Sequence, residues 1–303
     1  MHKSCRAFVL LLLIPCLAFG ATNTIFTQEK GKLNLFFLDL DVSAGAKDKS
    51  GDATILISPD NKVLLLDSGH PESGKQVVAA LKALGIQKID YFVASHPHID
   101  HIGGFSEVAD NFEIGKVYRS ALKYPSSTNA TFLAAVKNKK IPVEILSEGD
   151  SFQFGDAISV KVFNPPARII YPWNYPKNCT QFVNNNSLAL KFTYGESSVW
   201  FSGDLYASRE RKLVARYGNL LQSDVAKANH HGELTSNTLQ WSKTIRATVV
   251  VAMHDIFASK AVYENYTRQG SDYHLTLNDG NVKVVLDNAR HCQVTDEKDS
   301  WMN

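Results

Sequence analysis

Apolar runs set between turn residues mark out most of the elements. Residues 33–40 (LNLFFLDL), 53–57 (ATILI) and 62–67 (KVLLLD) read as strands, the last reached through the turn Pro59-Asp60-Asn61. Residues 73–84 (SGKQVVAALKAL) open on Ser73, place apolar groups at helical spacing and stop at Gly85, which predicts a helix capped at both ends. Residues 89–94 read as a buried strand. The pattern continues with a helix near 128–139, strands near 142–146, 157–163, 187–194 and 197–202, and a helix over 207–217. Strands 224–228 and 247–253, a helix over 259–269 and a strand over 281–287 complete it. Strands and helices alternate at both ends around a strand-rich middle, so an α/β fold with helices on the outer faces of its sheets is expected. Residues 164–186 (NPPARIIYPWNYPKNCTQFVNNN) form a long loop, and long loops in compact domains are usually functional or pinned down. No repeat, low-complexity tract or linker interrupts the pattern, so residues 21–303 are expected to form one domain.

Composition narrows the classes. With 303 residues and 44% hydrophobic content the chain can bury a sizeable core, and 20% charged residues exclude wholesale disorder. Residues 1–20 carry a basic start (Lys3, Arg6), an apolar run over 8–17 and the small-x-small triplet Ala18-Phe19-Gly20, the three parts of a secretory signal. The apolar run falls short of the ~20 residues that span a bilayer, and Pro15 before Cys16 argues against a lipoprotein site. A secreted or periplasmic protein without a membrane span after cleavage is expected. Removing Lys3 and Arg6 leaves thirty basic against thirty acidic residues, so binding to nucleic acid would need a local patch. Lys137, Lys139 and Lys140 read as a solvated helix end rather than such a patch. Cys5 and Cys16 leave with the signal. In an oxidising compartment Cys179 and Cys292 then read as a disulfide closing a ~100-residue loop, worth ~4–5 kcal/mol, with two unpaired thiols as the alternative.

The chemistry concentrates in Ser95-His96-Pro97-His98-Ile99-Asp100-His101-Ile102-Gly103-Gly104, which begins where strand 89–94 ends. Three imidazoles and a carboxylate within six residues cannot all enter a core, because each needs a polar partner there. On a strand-to-helix turn they can divide between two adjacent divalent ions. Imidazole suits Zn2+ and carboxylate tolerates harder ions such as Mn2+, so two divalent metals are expected, Zn2+ first and Mn2+ second. The two glycines are expected to let backbone pack close to the metals.

These residues resemble the HxHxDH signature of the metallo-β-lactamase superfamily, whose αβ/βα four-layer sandwich is the fold the resemblance implies. Val63-Leu64-Leu65-Leu66-Asp67-Ser68-Gly69 is similar to the family's first motif, an aspartate that orients the metal site. Val199-Trp200-Phe201-Ser202-Gly203-Asp204 is similar to the fourth, whose aspartate bridges both metals. Asp224-Val225-Ala226-Lys227-Ala228-Asn229-His230-His231-Gly232 resembles the His-His-Gly element of a subgroup. That subgroup includes the periplasmic hydrolase domain of competence (DNA-uptake) channel proteins and some phosphorylcholine esterases. Its opening pattern is also similar to Phe37-Leu38-Asp39 followed by Gly51-Asp52-Ala53. The resemblance covers residues 33 to about 287. It implies metal ligands at His96, His98, Asp100, His101, Asp204 and His230, and catalytic roles for Asp67, Asp100, His231 and His254. Of His230 and His231, one ligates and the other supports the ligands or faces substrate; His230 is the first choice. The family's third-motif histidine is missing, since none lies between His101 and His230. Asn184-Asn185-Asn186 stands in the corresponding place, so either an asparagine oxygen, water or His254 completes the first metal, or that metal is bound with low affinity.

The other histidines and aromatics have plainer readings. His254 is either a site residue or a strand-end histidine bonded locally, His70 a solvated loop residue, and His274 and His291 structural or exposed. Tyr171, Trp173 and Tyr175 either form a lip over the site or cover an apolar patch of their own loop. The expected reaction is hydrolysis by a metal-bridging hydroxide, with His231 or His254 stabilising charge or protonating the leaving group. The resemblance favours a phosphodiester, small or derived from nucleic acid, over a β-lactam or lactone. A non-catalytic secreted binding protein is the reading from another class.

Overall fold

The computed structural model describes residues 25–298 apart from 255, 257 and 258, so the expected signal at 1–20 lies outside the described residues. In chain order the strands are β1 (Leu33–Phe37), β2 (Thr54–Ile57), β3 (Val63–Leu66), β4 (Lys88–Ala94), β5 (Glu113–Arg119), β6 (Val143–Ile145), β7 (Ser151–Phe154) and β8 (Ile158–Asn164). They continue as β9 (Ala189–Tyr194), β10 (Ser197–Phe201), β11 (Val225–Lys227), β12 (Val249–Ala252), β13 (Asp272–Leu275), β14 (Val282–Leu286) and β15 (Cys292–Asp296). One sheet has the order β15-β14-β1-β2-β3-β4-β5-β6 and the other β13-β12-β11-β10-β9-β8-β7. Strands β3 to β6 run parallel, as do β10 to β13.

Alternation along each strand builds four layers. Leu33, Leu35 and Phe37 face the space between the sheets, where Leu64, Leu66 and Val93 meet Leu190, Phe201 and Val251. The intervening Phe36, with Ile55, Leu65 and Phe92, faces outward onto Val77, Leu81, Phe105 and Phe132. Those four lie on the helices Gly74–Ala83, Phe105–Asn111 and Ser127–Asn138. On the far side Trp200, Ala226 and Val250 pack on Leu213, Trp241 and Tyr266, from the helices Ala207–Tyr217, Leu239–Ile245 and Lys260–Thr267. Each sheet therefore buries both faces, which is why β1, β2, β3, β10 and β12 are buried at every position. The architecture is the expected αβ/βα sandwich.

Several local expectations need correction. Ser73 makes no capping bond; its hydroxyl donates to the Asp41 carbonyl. The turn ahead of that helix is capped instead by His70, whose Nδ1 accepts from the Glu72 amide, so His70 is buried and not a solvated loop residue. Cys179 and Cys292 are free thiols. Cys179 sits in a small cluster with Leu122 and Val183 and donates to the Pro176 carbonyl. Cys292 lies on the edge strand β15 against the inter-sheet core, in a different part of the fold. Tyr171 and Tyr175 pack on Phe182 with ring centroids 5.6 and 5.5 Å away, so their loop covers its own patch, while Trp173 is 98% exposed.

Candidate metal centre

The parallel strands of both sheets deliver their C-terminal ends to one place, where sites in such sheets form. Strand β3 runs into Asp67, β4 into Ser95 and His96, β10 into Asp204, β11 into His230 and His231, and β12 towards His254. Antiparallel β2 begins beside the same place, which brings in Asp52. Gly51 makes that approach possible: at φ +78° its Cβ would lie 1.6 Å from the Asp100 carbonyl oxygen, the oxygen that accepts from the Asp52 amide. A Cβ on Gly104 would lie 2.2 Å from the Ser68 carbonyl oxygen. This glycine thus seats the His-rich turn against neighbouring backbone rather than against the metals.

The cluster converges on one oxygen. Asp204 Oδ2 lies 3.2 Å from His101 Nε2, 3.3 Å from His231 Nε2, 3.7 Å from His96 Nε2 and 3.8 Å from His230 Nε2. Two of these imidazoles are aimed by a second carboxylate behind them. His101 Nδ1 is 2.8 Å from Asp67 Oδ2, and Asp67 is held by the Ser95 amide at 2.7 Å and the Ser95 hydroxyl at 2.6 Å. His231 Nδ1 is 2.9 Å from Asp52 Oδ1. Such carboxylate–imidazole pairs fix the tautomer and present Nε2 to a metal. Asp100 Oδ2 joins them, 3.2 Å from His231 Nε2 and 3.6 Å from His101 Nε2. Asp67, His230 and His231 reach these positions with left-handed backbone, at φ 59°, 46° and 55°, a strain of ~1–3 kcal/mol each that the surrounding contacts must offset.

Charge explains why the arrangement wants cations. Burial alone would raise the Asp204 carboxyl, but His231, His101, Lys227 and His230 hold it well below the usual range. Asp100 is lowered against burial by His101 and His231. His101 and His231 lie well above the ordinary imidazole value despite burial, because Asp204 and its neighbouring carboxylates face them. Burial and the adjacent His101 push His96 well below it. Lys227, fully inside, is ion-paired to Asp52 and lies 3.5 Å from Asp204 Oδ1.

The donor set fits divalent metals. One ligand atom each from Asp52, His101, Asp204 and His231 falls within 4.8 Å of the others. Asp204 Oδ1, His231 Nε2 and Asn184 Oδ1 are buried with no hydrogen-bond partner among the described residues, and a bound cation would satisfy such lone pairs. His96 Nε2 also lies 3.0 Å from His98 Nδ1. The His96 ring stands 4.7 Å from His98 and 4.0 Å from His101, and His101 stands 5.2 Å from His231, so the four imidazoles form a continuous row beside Asp204.

Residues 49–168 match the family model for the metallo-beta-lactamase superfamily. Over those residues the chain carries a metallo-β-lactamase superfamily domain. It is 27% identical over 192 residues to the competence protein ComA of Neisseria gonorrhoeae, covering 63% of this chain and 24% of that protein. It is 25% identical over 207 residues to a UPF0173 metal-dependent hydrolase of Bacillus cereus, covering 67% of this chain and 82% of that one. The chain spans about a quarter of the length of the competence proteins it matches. The metallo-beta-lactamase fold protein YhfI from Bacillus subtilis superposes with a TM-score of 0.50 at 14% identity, over 80% of this chain and 96% of that one. That likeness shows the shared fold.

Among the described residues the sequence-predicted site residues divide into three groups. Asp67, His96, His98, Asp100, His101, Asp204, His230 and His231 are brought together. Of the last two, His231 lies in the inner cluster and His230 on a pocket wall with Nδ1 bonded to Thr235. His254 stands beyond His231, ring centroids 5.6 Å apart, beside Glu233 at 3.8 Å. His274 and His291 lie elsewhere, the first buried and the second paired with Asp287 at the surface. Asn184 lines the pocket, its buried side-chain oxygen without a hydrogen-bond partner among the described residues. Sequence reasoning quoted Asp52 and Lys227 within motifs but gave neither a place in the site. A lysine at the end of an otherwise apolar strand, VAK, was the available signal, since a buried ammonium needs carboxylates beside it.

Proposed function

We propose that this chain is an exported metal-dependent hydrolase of phosphodiesters, acting on a small phosphorylated molecule or a nucleic-acid-derived fragment. The reading is carried by a pocket of about 360 Å³ that opens on the cluster, lined by His98, Asp100, Asp204 and His230 together with Lys49 and Asn184. Bound divalent ions, Zn2+ or Mn2+, would supply Lewis acidity and an activated water there. His96, His98, Asp204 and Asn184 could hold one ion, and Asp100, His101, Asp204 and His231 the other. Asp67 and Asp52 orient His101 and His231 towards them. Lys49, fixed by Glu233, stays charged against its burial and offers an ammonium to an anionic substrate. His230, lowered to about 4 by burial against the pull of Asp204, is neutral at pH 7 and so serves as an acceptor or ligand. His231 and His254 are absent from the residues lining the pocket, so their expected part as proton donors to the leaving group is not retained.

A second cleft of about 330 Å³ supports a phosphate-bearing substrate over a β-lactam. It adjoins the pocket across Asn184–Asn186 and is lined by Arg168, Arg209 and Lys212 with Asn185, Asn186 and Ser208. Guanidinium and ammonium groups in such a cleft suit phosphates. The test compares a bis-aryl phosphodiester with a chromogenic β-lactam, on chelated protein and after adding Zn2+ or Mn2+. Metal-dependent turnover of the phosphodiester supports the reading. Turnover of the β-lactam alone, or of neither, contradicts it. Recovery of an exported chain that starts near residue 21 tests the localisation.

A further inference from the structure

Away from the metal centre, a second group of ligand-bearing side chains lies where the two sheets meet at their edges. Strand β13 is the edge of one sheet and β15 the edge of the other. His274 on β13 and Asp296 on β15 face each other, Nδ1 to Oδ1, at 3.0 Å. Asp279, in the helical turn Thr276–Asp279 after β13, puts Oδ2 4.0 Å from the same nitrogen. One ligand atom from each of the three lies within 4.8 Å of the others. The His274 and Asp279 side chains are 9% and 1% exposed.

Asp279 Oδ2 accepts from the Leu275 amide at 2.7 Å, but hydrogen bonding leaves other atoms of this cluster unsatisfied. Asp279 Oδ1, Asp296 Oδ1 and His274 Nε2 are buried without an aligned hydrogen-bond partner among the described residues. The same signature marks the metal centre, at Asp204 Oδ1 and His231 Nε2. Buried Asp279, part-buried Asp296 and the more exposed Asp272 place three carboxylates around one imidazole, more negative charge than a protonated His274 offsets. Lys298, whose amide donates to the Asp279 carbonyl, does not offset the remainder, because its ammonium is bonded to Asp39 at 2.9 Å. His274 Nε2 lies 3.2 Å from Asp272 Oδ2, the position of a carboxylate that orients a metal-bound imidazole.

We propose that His274, Asp279 and Asp296 form a second, structural divalent-cation site that clips the edges of the two sheets together. One imidazole and two carboxylates suit Zn2+ or Mn2+. The clip joins β15 to β13, strands that share no backbone ladder. It is independent of the hydrolytic reading, since none of its residues belongs to that centre.

Crystals grown with Mn2+ and read by anomalous scattering test it. A peak bounded by His274 Nδ1 and the Asp279 and Asp296 carboxylates is expected, separate from any peak at Asp204. His274→Gln should abolish that peak, lower the metal content by one equivalent, and leave the peaks at Asp204 in place. Should that variant fail to fold, Zn2+ titration of the wild type with Asp204→Asn beside it reads the same site. One equivalent should persist when Asp204 is replaced. Peaks confined to Asp204, or no retained equivalent in Asp204→Asn, would overturn the proposal and leave His274 as an imidazolium paired with Asp272 and Asp296.

Discussion

Replacing Lys227 by methionine keeps the length of the side chain and removes one buried charge, so it isolates what that ammonium does. Lys227 is ion-paired to Asp52 and stands 3.5 Å from Asp204 Oδ1, with all three side chains at most 3% exposed. At an effective dielectric constant of ~20, a unit pair at that distance attracts by ~5 kcal/mol. Much of this offsets the desolvation of the ammonium, but deleting one partner leaves the other buried and uncompensated, which costs about 3–5 kcal/mol. The metal-free variant should therefore lose roughly that much of a total that is typically ~5–15 kcal/mol. Bound dications repel the same ammonium. Loading the centre should recover a good part of the loss, and the variant should bind metal more tightly than the wild type. Urea unfolding of chelated and metal-loaded protein, read as a midpoint shift at constant slope, gives both numbers. A metal-free variant within about 1 kcal/mol of wild type, or one that binds metal more weakly, would refute the assignment of Lys227 to the cluster.

Other consequences follow from the same geometry. Asp67→Asn disturbs the carboxylate that aims His101, and should weaken metal binding about 10–100-fold in a competition assay with little change in fold. His101 and His231 lie well above the ordinary imidazole value, so both carry protons in the metal-free protein at neutral pH. Metal binding must displace those protons, so affinity should rise with pH, and calorimetry in buffers of different ionisation enthalpy should register net proton release. Burial raises the Cys179 thiol and pushes Cys292 up to about 12. At pH 8 the Cys292 thiolate fraction is then ~10⁻⁴, so both cysteines should resist alkylation in the native state, and peptide mapping after denaturation without reductant should find each singly labelled. Arg168→Gln with Lys212→Gln should raise KM several-fold for a short oligonucleotide while leaving kcat on the bis-aryl ester unchanged.

Much of the fold was legible because its strands are covered on both faces, which writes them as apolar runs such as VLLL in β3 and VVVA in β12. The elements that escaped notice lack that mark. Strand β5 (EIGKVYR) carries a glycine and three charges, and the edge strands β13 (DYHL) and β15 (CQVTD) are too polar and short to stand out. The His96–His101 segment was legible because its ligands are adjacent in sequence. Asp52 was not, because only the antiparallel turn of β2 brings it to the end of β3 and β4. The order of His230 and His231 is set by two successive left-handed residues, a backbone choice that neither side chain announces. The Cys179–Cys292 expectation failed because it rested on compartment and count, while the fold puts one cysteine in a small cluster beside its loop and the other on a sheet edge.

The most direct test is the metal content of the purified wild-type protein beside Asp204→Asn, with phosphodiesterase activity measured on both. Asp204 is the oxygen on which four imidazoles converge. Wild type should hold about two equivalents of Zn2+ or Mn2+ more than the variant, as a two-metal centre requires, and only wild type should turn over the bis-aryl phosphodiester. Equal metal content in the two proteins, or a fully loaded wild type that leaves the phosphodiester intact, would contradict a two-metal phosphodiesterase.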